Sequence, residues 1–332
     1  MSIYKKDEIK AKTKNVLLQS GLEDNSAEVF AEYMTQVELY GVKSHGLKTL
    51  KAHLKKIESG GYNLTPSFQV KKETSAFAVI DGDNAIGMLS GIHCVDYAVK
   101  KAKESGVFTT FSFNNNTYGA AFYYALRAAQ KGCICFTMSN SPAQMAAAGG
   151  CEKILGTNPF SIAIPAKNNH PIVVDMATSV VAKSKINEYA ENGLPIPDGW
   201  ALDANGKPTT DAKVALNGLM QPMAGFKGYG MSMMIDILTG VISGASYLGN
   251  VGRFYNSEKK CMDVGFTFIV INPKIVYGTE FYSEMDSYIN SVRTGKNVEG
   301  MKISIPGDDR LDNYRRNLKN GIYVSDSIWE VQ

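Results

Sequence analysis

Histidine is scarce in this sequence, four in 332 residues, and one copy sits where an imidazole can work. Ser44-His45-Gly46 falls in the break between two helical stretches. An imidazole presented there to a cleft, with an ordinary pKa near ~6.5, suits proton donation or removal at neutral pH. The tripeptide alone also admits a surface or capping histidine with no task. His53 follows eight residues later, a little over two helical turns, so it can approach the same place. His93 falls within an apolar helical run and reads as a core residue. His170 sits in the polar turn Asn168-Asn169-His170-Pro171 and reads as solvated.

Other segments suit phosphate, ribose or a small ligand. Gly225-Phe226-Lys227-Gly228-Tyr229-Gly230 precedes a long apolar helix. Free amides at that helix start, with the Lys227 ammonium, attract a pyrophosphate; a tight loop for close helix packing is the plainer alternative. Ile305-Pro306-Gly307-Asp308-Asp309 offers two carboxylates that accept from ribose hydroxyls or an adenine amine, or else cap the following helix. Asp175-Met176-Ala177-Thr178-Ser179 lies at a strand end, the edge where open α/β sheets place ligands, though Thr178 or Ser179 could serve as a mere N-cap. In Leu155-Gly156-Thr157-Asn158-Pro159, the residue before proline is expected to be extended.

The missing motifs prune the list. There is no GxGxxG after a strand, no GxxxxGK[ST], no HExxH and no GxSxG. So few histidines make a multi-histidine zinc site unexpected, and no metal is expected. Cys94, Cys133, Cys135, Cys151 and Cys261 form no CxxC pair, and the odd set reads as reduced core thiols of a cytoplasmic protein.

Composition agrees with a folded enzyme-sized chain. Hydrophobic residues make up 44% and charged residues 20%, which excludes an intrinsically disordered chain. Lys and Arg total 35 against 32 Asp and Glu, a net charge of +3, so no nucleic-acid partner is expected. No apolar run reaches the ~18 residues of a membrane span, and the charged start lacks the apolar core of a signal peptide.

The elements that must position these residues are α/β. The first 60 or so residues read as helices: about 6–20, about 25–40 opened by an Asn25/Glu28 capping box, and about 47–59. Strands follow at 76–80, 107–113, 133–138, 160–164, 172–175 and 265–271, with helices near 86–105, 119–131, 228–242, 276–293 and 309–319. Residues 192–225, rich in Gly, Pro and Asn, read mostly as loop. The alternation predicts a largely buried mixed sheet with flanking helices. Composition shifts divide the chain into a helical N-terminal region (1–65) carrying Ser44-His45-Gly46, an α/β region (66–255) and a C-terminal segment (256–332) expected to complete the first region.

Four motifs occur in one order: Gly41-Val42-Lys43-Ser44-His45-Gly46, Leu155-Gly156-Thr157-Asn158-Pro159, Val174-Asp175-Met176-Ala177-Thr178-Ser179 and Lys227-Gly228-Tyr229-Gly230. In this the chain resembles, nearly end to end, the malate/L-lactate dehydrogenase family. That family includes ureidoglycolate, sulfolactate and diketogulonate enzymes. Leu194-Pro195-Ile196-Pro197-Asp198 through Thr209-Thr210-Asp211 look most like the ureidoglycolate branch. The resemblance implies a non-Rossmann NAD(P) fold with residues 66–255 as the cofactor-binding domain, a homodimer, and an active site between that domain and the N-terminal helices. It implies His45 as catalytic acid/base with Ser44 beside it. Asp175, Met176, Ala177, Thr178, Ser179, Phe226, Lys227, Gly307, Asp308 and Asp309 would contact the cofactor, NAD rather than NADP by family tendency and the lack of an arginine cluster.

The departures from the family bear on substrate. Relatives usually carry Arg where this chain has Thr49, often Tyr where it has His53, and a second His where it has Thr117. Thr is a weak carboxylate clamp beside a guanidinium fork, and Lys43 or Lys48 is left to supply the charge. The substrate-binding expectation therefore names Lys48, Thr49, His53 and Thr117. It is for hydride transfer between nicotinamide and a small 2-hydroxy or 2-oxo acid. A cyclic imino acid reductase, or a dinucleotide-binding homologue with little catalysis, stands as the alternative.

Overall fold

The computed structural model describes residues 2–255 and 260–330. Strand β1 (Ser2–Tyr4) leads into helices α1 (Lys6–Gln19) and α2 (Asp24–Leu39). Two 3-10 turns, Lys43–His45 and Leu47–Thr49, precede α3 (Leu50–Glu58). The α/β part follows: β2 (Gln69–Glu73), β3 (Phe77–Asp81), α4 (Gly87–Ser105), β4 (Val107–Asn115), α5 (Ala121–Gln130), β5 (Ile134–Ser139), β6 (Phe160–Ile164) and β7 (Ile172–Met176). Next come α6 (Lys183–Glu191), β8 (Ala201–Leu202), β9 (Pro208–Thr209), α7 (Ala212–Asn217), β10 (Leu219–Met220) and α8 (Phe226–Asp236), which continues as a π-helical turn, Ile237–Val241. The chain then forms β11 (Val264–Ile271), α9 (Pro273–Val276), α10 (Phe281–Arg293), α11 (Asp308–Asn320) and β12 (Ile322–Val324).

Seven strands make one mixed sheet in the order β2-β3-β4-β11-β5-β6-β7. Among the described strands only β3 and β4 pair in parallel, joined by the crossover helix α4. Strand β11 inserts between β4 and β5, antiparallel to both. Its near-continuous apolar run, Val264-Gly-Phe-Thr-Phe-Ile-Val-Ile271, suits a central strand covered on both faces. The main core joins Ile9, Phe30 and Met34 of the N-terminal helices to Val95, Phe108, Phe122, Phe268 and Val324. A second cluster, with Met145, Leu155, Ile186, Ala201 and Met220, underlies the three-stranded sheet β10-β8-β9.

Several expectations are corrected. Helix α2 opens at Asp24 with Glu23 as N-cap and no side-chain cap bond. Glu28 instead faces α1, pairing with Lys10 at 2.5 Å and Lys14 at 3.2 Å. Residues 192–225 hold three short strands and α7, whose N-cap Asp211 accepts from the Lys213 and Val214 amides. Asn158, expected to be extended, has φ 25°. Its carboxamide holds it there, accepting from the Ser141 amide at 3.0 Å and donating to the Ser232 carbonyl at 2.9 Å. Among the cysteines Cys94, Cys133 and Cys135 are buried, but Cys151 is exposed and Cys261 partly so. No helix among the described residues is long and apolar enough to cross a membrane.

Candidate active site

Helix α2 stops at Leu39, and Gly41, at φ 79°, turns the chain into the two 3-10 turns. The His45 amide donates to the Val42 carbonyl at 3.1 Å and the Thr49 amide to that of Gly46 at 2.9 Å. Ser44 Oγ lies 2.9 Å from His45 Nδ1, which leaves Nε2 to face a ligand. The His45 side chain is open to solvent. The protein packed around it nevertheless pushes its imidazole below the ordinary range; Asp175 pulls the other way and Arg310 adds to the depression.

Asp175, at the end of β7, meets Arg310 in the first turn of α11. Arg310 Nη2 is 2.5 Å from Asp175 Oδ2, and its guanidinium lies over the Phe122 ring, 4.5 Å from the centroid. Arg310 Nη1 is buried without a hydrogen-bond partner among the described residues. The approach of α11 to β7 needs Gly307, at φ 102°, where a Cβ would lie 3.2 Å from Val173 Cβ; the Val173 amide donates to the Pro306 carbonyl at 2.9 Å. Asp308 accepts from the Ile305 amide at 2.9 Å and pairs with Arg293 at 2.8 Å, while Asp309 is exposed.

Beyond Asp175, Met176 is exposed and Ala177 half-buried. Thr178 is buried, its amide and hydroxyl both donating to the Thr157 carbonyl at 2.9 and 3.0 Å. Ser179 Oγ donates to the Val181 carbonyl at 2.8 Å. Neither residue caps a helix, since α6 begins at Lys183. The Met223 amide donates to Thr178 O at 2.9 Å, bringing α8 against this strand end. Gly228 is required at the contact: a Cβ would lie 2.5 Å from Met223 O and 2.6 Å from Thr178 O. Gly225, the N-cap of α8, offers no side-chain cap and has open space around it. Phe226 is 78% exposed and Lys227 is exposed beside it. A cleft of about 240 Å³, lined by Ala146–Gly150, Pro222, Gly225, Phe226 and Tyr229, adjoins this helix start.

The expected substrate residues sit in different settings. His53 is 1% exposed, its Nδ1 2.8 Å from the Tyr62 hydroxyl, packed against Phe30 and Phe254. Burial, reinforced by Lys56, pushes its imidazole down to about 3. Thr49 spends its hydroxyl on the Gly46 carbonyl at 2.8 Å. Lys48 is exposed, and Thr117 is half-buried next to the close contact of its carbonyl with Gly87. His170, expected to be solvated, is half-buried. It bonds the Pro171 carbonyl at 2.9 Å and lines a cleft of about 410 Å³ with Tyr40, Tyr123 and Tyr314. Burial lowers its imidazole too.

Two observations fit a dinucleotide. The start of α8 is uncapped by any side chain and carries Lys227, as an anionic diphosphate requires. The orphaned Arg310 Nη1 lies between the two segments expected to hold the cofactor, a buried donor in want of an acceptor. No group of His, Cys, Asp and Glu among the described residues could hold a metal ion.

Comparison with known proteins decides the family. The profile of the malate/L-lactate dehydrogenase family matches residues 4–331. This chain belongs to that family. It is 37% identical to a malate dehydrogenase of Pyrococcus horikoshii over 95% of this chain and 89% of that one. An L-sulfolactate dehydrogenase of Methanocaldococcus jannaschii is 35% identical over 95% and 91%; its solved structure has TM-score 0.91, covering 98% of this chain and 94% of that chain. An Escherichia coli ureidoglycolate dehydrogenase is 32% identical over 95% and 90%, so overall identity does not single out the ureidoglycolate branch. The seven-stranded mixed sheet is that of the malate/L-lactate dehydrogenases, and NAD(P)-dependent oxidoreduction of 2-hydroxy acids is met at the level of the family.

Proposed function

We propose that this malate/L-lactate dehydrogenase family member interconverts a small 2-oxo acid and its 2-hydroxy acid, with His45 moving the proton. The observation that carries the reading is Ser44-His45 within the field of the Asp175–Arg310 pair, at the meeting of the N-terminal turn, β7 and α11. When bound, nicotinamide supplies the hydride that adds to the carbonyl carbon. His45 Nε2 then gives a proton to the carbonyl oxygen on reduction and takes it back on oxidation, while Ser44 fixes the ring through Nδ1. The Lys227 ammonium and the amides at the start of α8 would hold the diphosphate. Met176, Ala177 and the turn at Thr178 and Ser179 line the cofactor's path between residues 1–65 and 66–255. Gly307 allows close approach, and Asp308 and Asp309 favour the free ribose hydroxyls of NAD over the extra phosphate of NADP.

The pocket is altered for substrate. Thr49 and Thr117 bring neither guanidinium nor imidazole, so the carboxylate falls to Lys43, Lys48 or backbone amides. Thr117 also favours a second reading, reduction of a cyclic imino acid, since an already protonated C=N needs less acid assistance. The exposed apolar face of Met231, Met234, Ile237, Leu238, Val241 and Ile242 supports a homodimer.

Oxidation of NADH and of NADPH against a panel of 2-oxo acids and cyclic imines tests the reading. Turnover of one 2-oxo acid with NADH is expected. Turnover of imines alone moves the protein to the second reading. Dinucleotide binding without any turnover marks a binding homologue and overturns both.

A further inference from the structure

Helix α2 carries a carboxylate on its buried face. Glu38 follows Ala27, Phe30, Ala31 and Met34 along that face and is 5% exposed. Its Oε1 accepts the Leu47 amide at 2.8 Å. Gly46 passes so close that a Cβ there would lie 2.5 Å from the same oxygen and 3.0 Å from Glu38 Cδ. Gly46 and Leu47 are the two residues after His45. The other hydrogen bonds of this segment are local: Val42 to Val37, His45 to Val42, Gly46 to Lys43, and Thr49 to Gly46. Glu38 is therefore the side chain that ties the end of α2 to the far side of the His45 turn. A polar group buried without a partner is costly, and here Oε1 is spent on one chosen amide.

We propose that Glu38 is the positioning residue for His45: by clamping the Gly46–Leu47 peptide it holds the imidazole in a single orientation towards the substrate. Glu38 does not touch the substrate and acts only through the turn. The inference rests on the reading of His45 as the proton carrier. A misplacement of about 1 Å at a reacting group costs on the order of 100-fold in rate, so loss of this tie is visible in turnover.

The test compares wild type with Glu38→Ala, Glu38→Gln, His45→Ala and the double variant Glu38→Ala/His45→Ala. Each is assayed for kcat, KM and NADH affinity on the best 2-oxo acid, and for amide hydrogen exchange over residues 43–49. Glu38→Ala is expected to lower kcat about 10- to 100-fold, with NADH affinity and KM changed less than about threefold. Exchange across the turn should quicken while α2 stays protected. Glu38→Gln keeps an acceptor oxygen in place and should recover most of the loss. On the His45→Ala background, Glu38→Ala should cost less than about twofold, because a positioning residue has nothing left to position. A Glu38→Ala enzyme within about threefold of wild-type kcat, unchanged exchange, or an undiminished loss on the His45→Ala background each overturns the inference. A His45→Ala enzyme that keeps its rate overturns the functional reading itself, and this inference with it.

Discussion

Arg310 Nη2 and Asp175 Oδ2 stand 2.5 Å apart, and their ion pair fastens the start of α11 to the end of β7. Both charges reach His45 with opposite sign. Replacing Arg310 by Met leaves Asp175 unopposed, so the His45 imidazole should titrate at higher pH than in wild type. The limb of the pH–rate profile that reports His45 is expected to move upward. NADH affinity, measured by fluorescence titration, should fall about tenfold, as for loss of one charged hydrogen-bonding partner. Arg310→Lys keeps the charge but not the planar group over Phe122 and should recover only part. An unmoved pH profile would mean that the pair does not act on His45.

Lys227 is exposed at the uncapped start of α8. Lys227→Ala should weaken NADH binding about tenfold, with the thermal unfolding midpoint little changed. Wild-type affinity should fall with added salt more steeply than that of the variant, since one screened charge has gone. Parallel salt curves would remove Lys227 from the diphosphate site.

Burial raises the Glu38 carboxyl to about 7, partly opposed by the Leu47 amide and by the field of Lys43. The folded value lies above the unfolded one, so the folded state binds a proton the unfolded state has released. Stability from this group is full below about pH 4.5 and is lost as pH rises through 7. Glu38→Gln, which has no charge to bury, should therefore gain stability over wild type at pH 8, by up to roughly 3 kcal/mol. The gain should vanish near pH 4.5, as read from urea unfolding at each pH. A gain independent of pH would contradict the assignment.

His53 behaves in the opposite sense. Burial, with Lys56 adding, lowers its imidazole to about 3, with Tyr62 as its neutral partner. Its share of stability is present above pH 6.5 and is lost as pH falls towards 3. His53→Gln should flatten the acid limb of the stability curve by up to about 1.4 kcal/mol per pH unit. Acid unfolding with the same slope in both proteins would argue against a neutral buried His53.

Much of the frame was legible because the strands are apolar and the helices end at glycines; Phe160–Ile164 is found as read, and α4 ends at Gly106 with φ 87°. The His45 motif was legible as a local break in helical pattern. His53 misled because helical spacing from His45 assumes one continuous helix, whereas the 3-10 turns over Lys43–Thr49 rotate α3 relative to that turn. Arg310 was missed: its role exists only when α11 meets β7, a long-range contact with no local signature. Glu38 did carry a signal, an acid at an apolar position of α2. The polar sequence around His170 carries no sign of the cleft it shares with Tyr40, Tyr123 and Tyr314, which distant segments supply.

His45 is the group on which the proposed chemistry depends most. The decisive measurement is single-turnover hydride transfer from prebound NADH to the best 2-oxo acid, in wild type and in His45→Ala, alongside NADH affinity. If His45 carries the proton, the rate is lower by ~10²- to 10⁴-fold in the variant, with NADH binding changed by less than about threefold. A variant that transfers hydride at more than half the wild-type rate would contradict it, and the proton would then come from another group or from water.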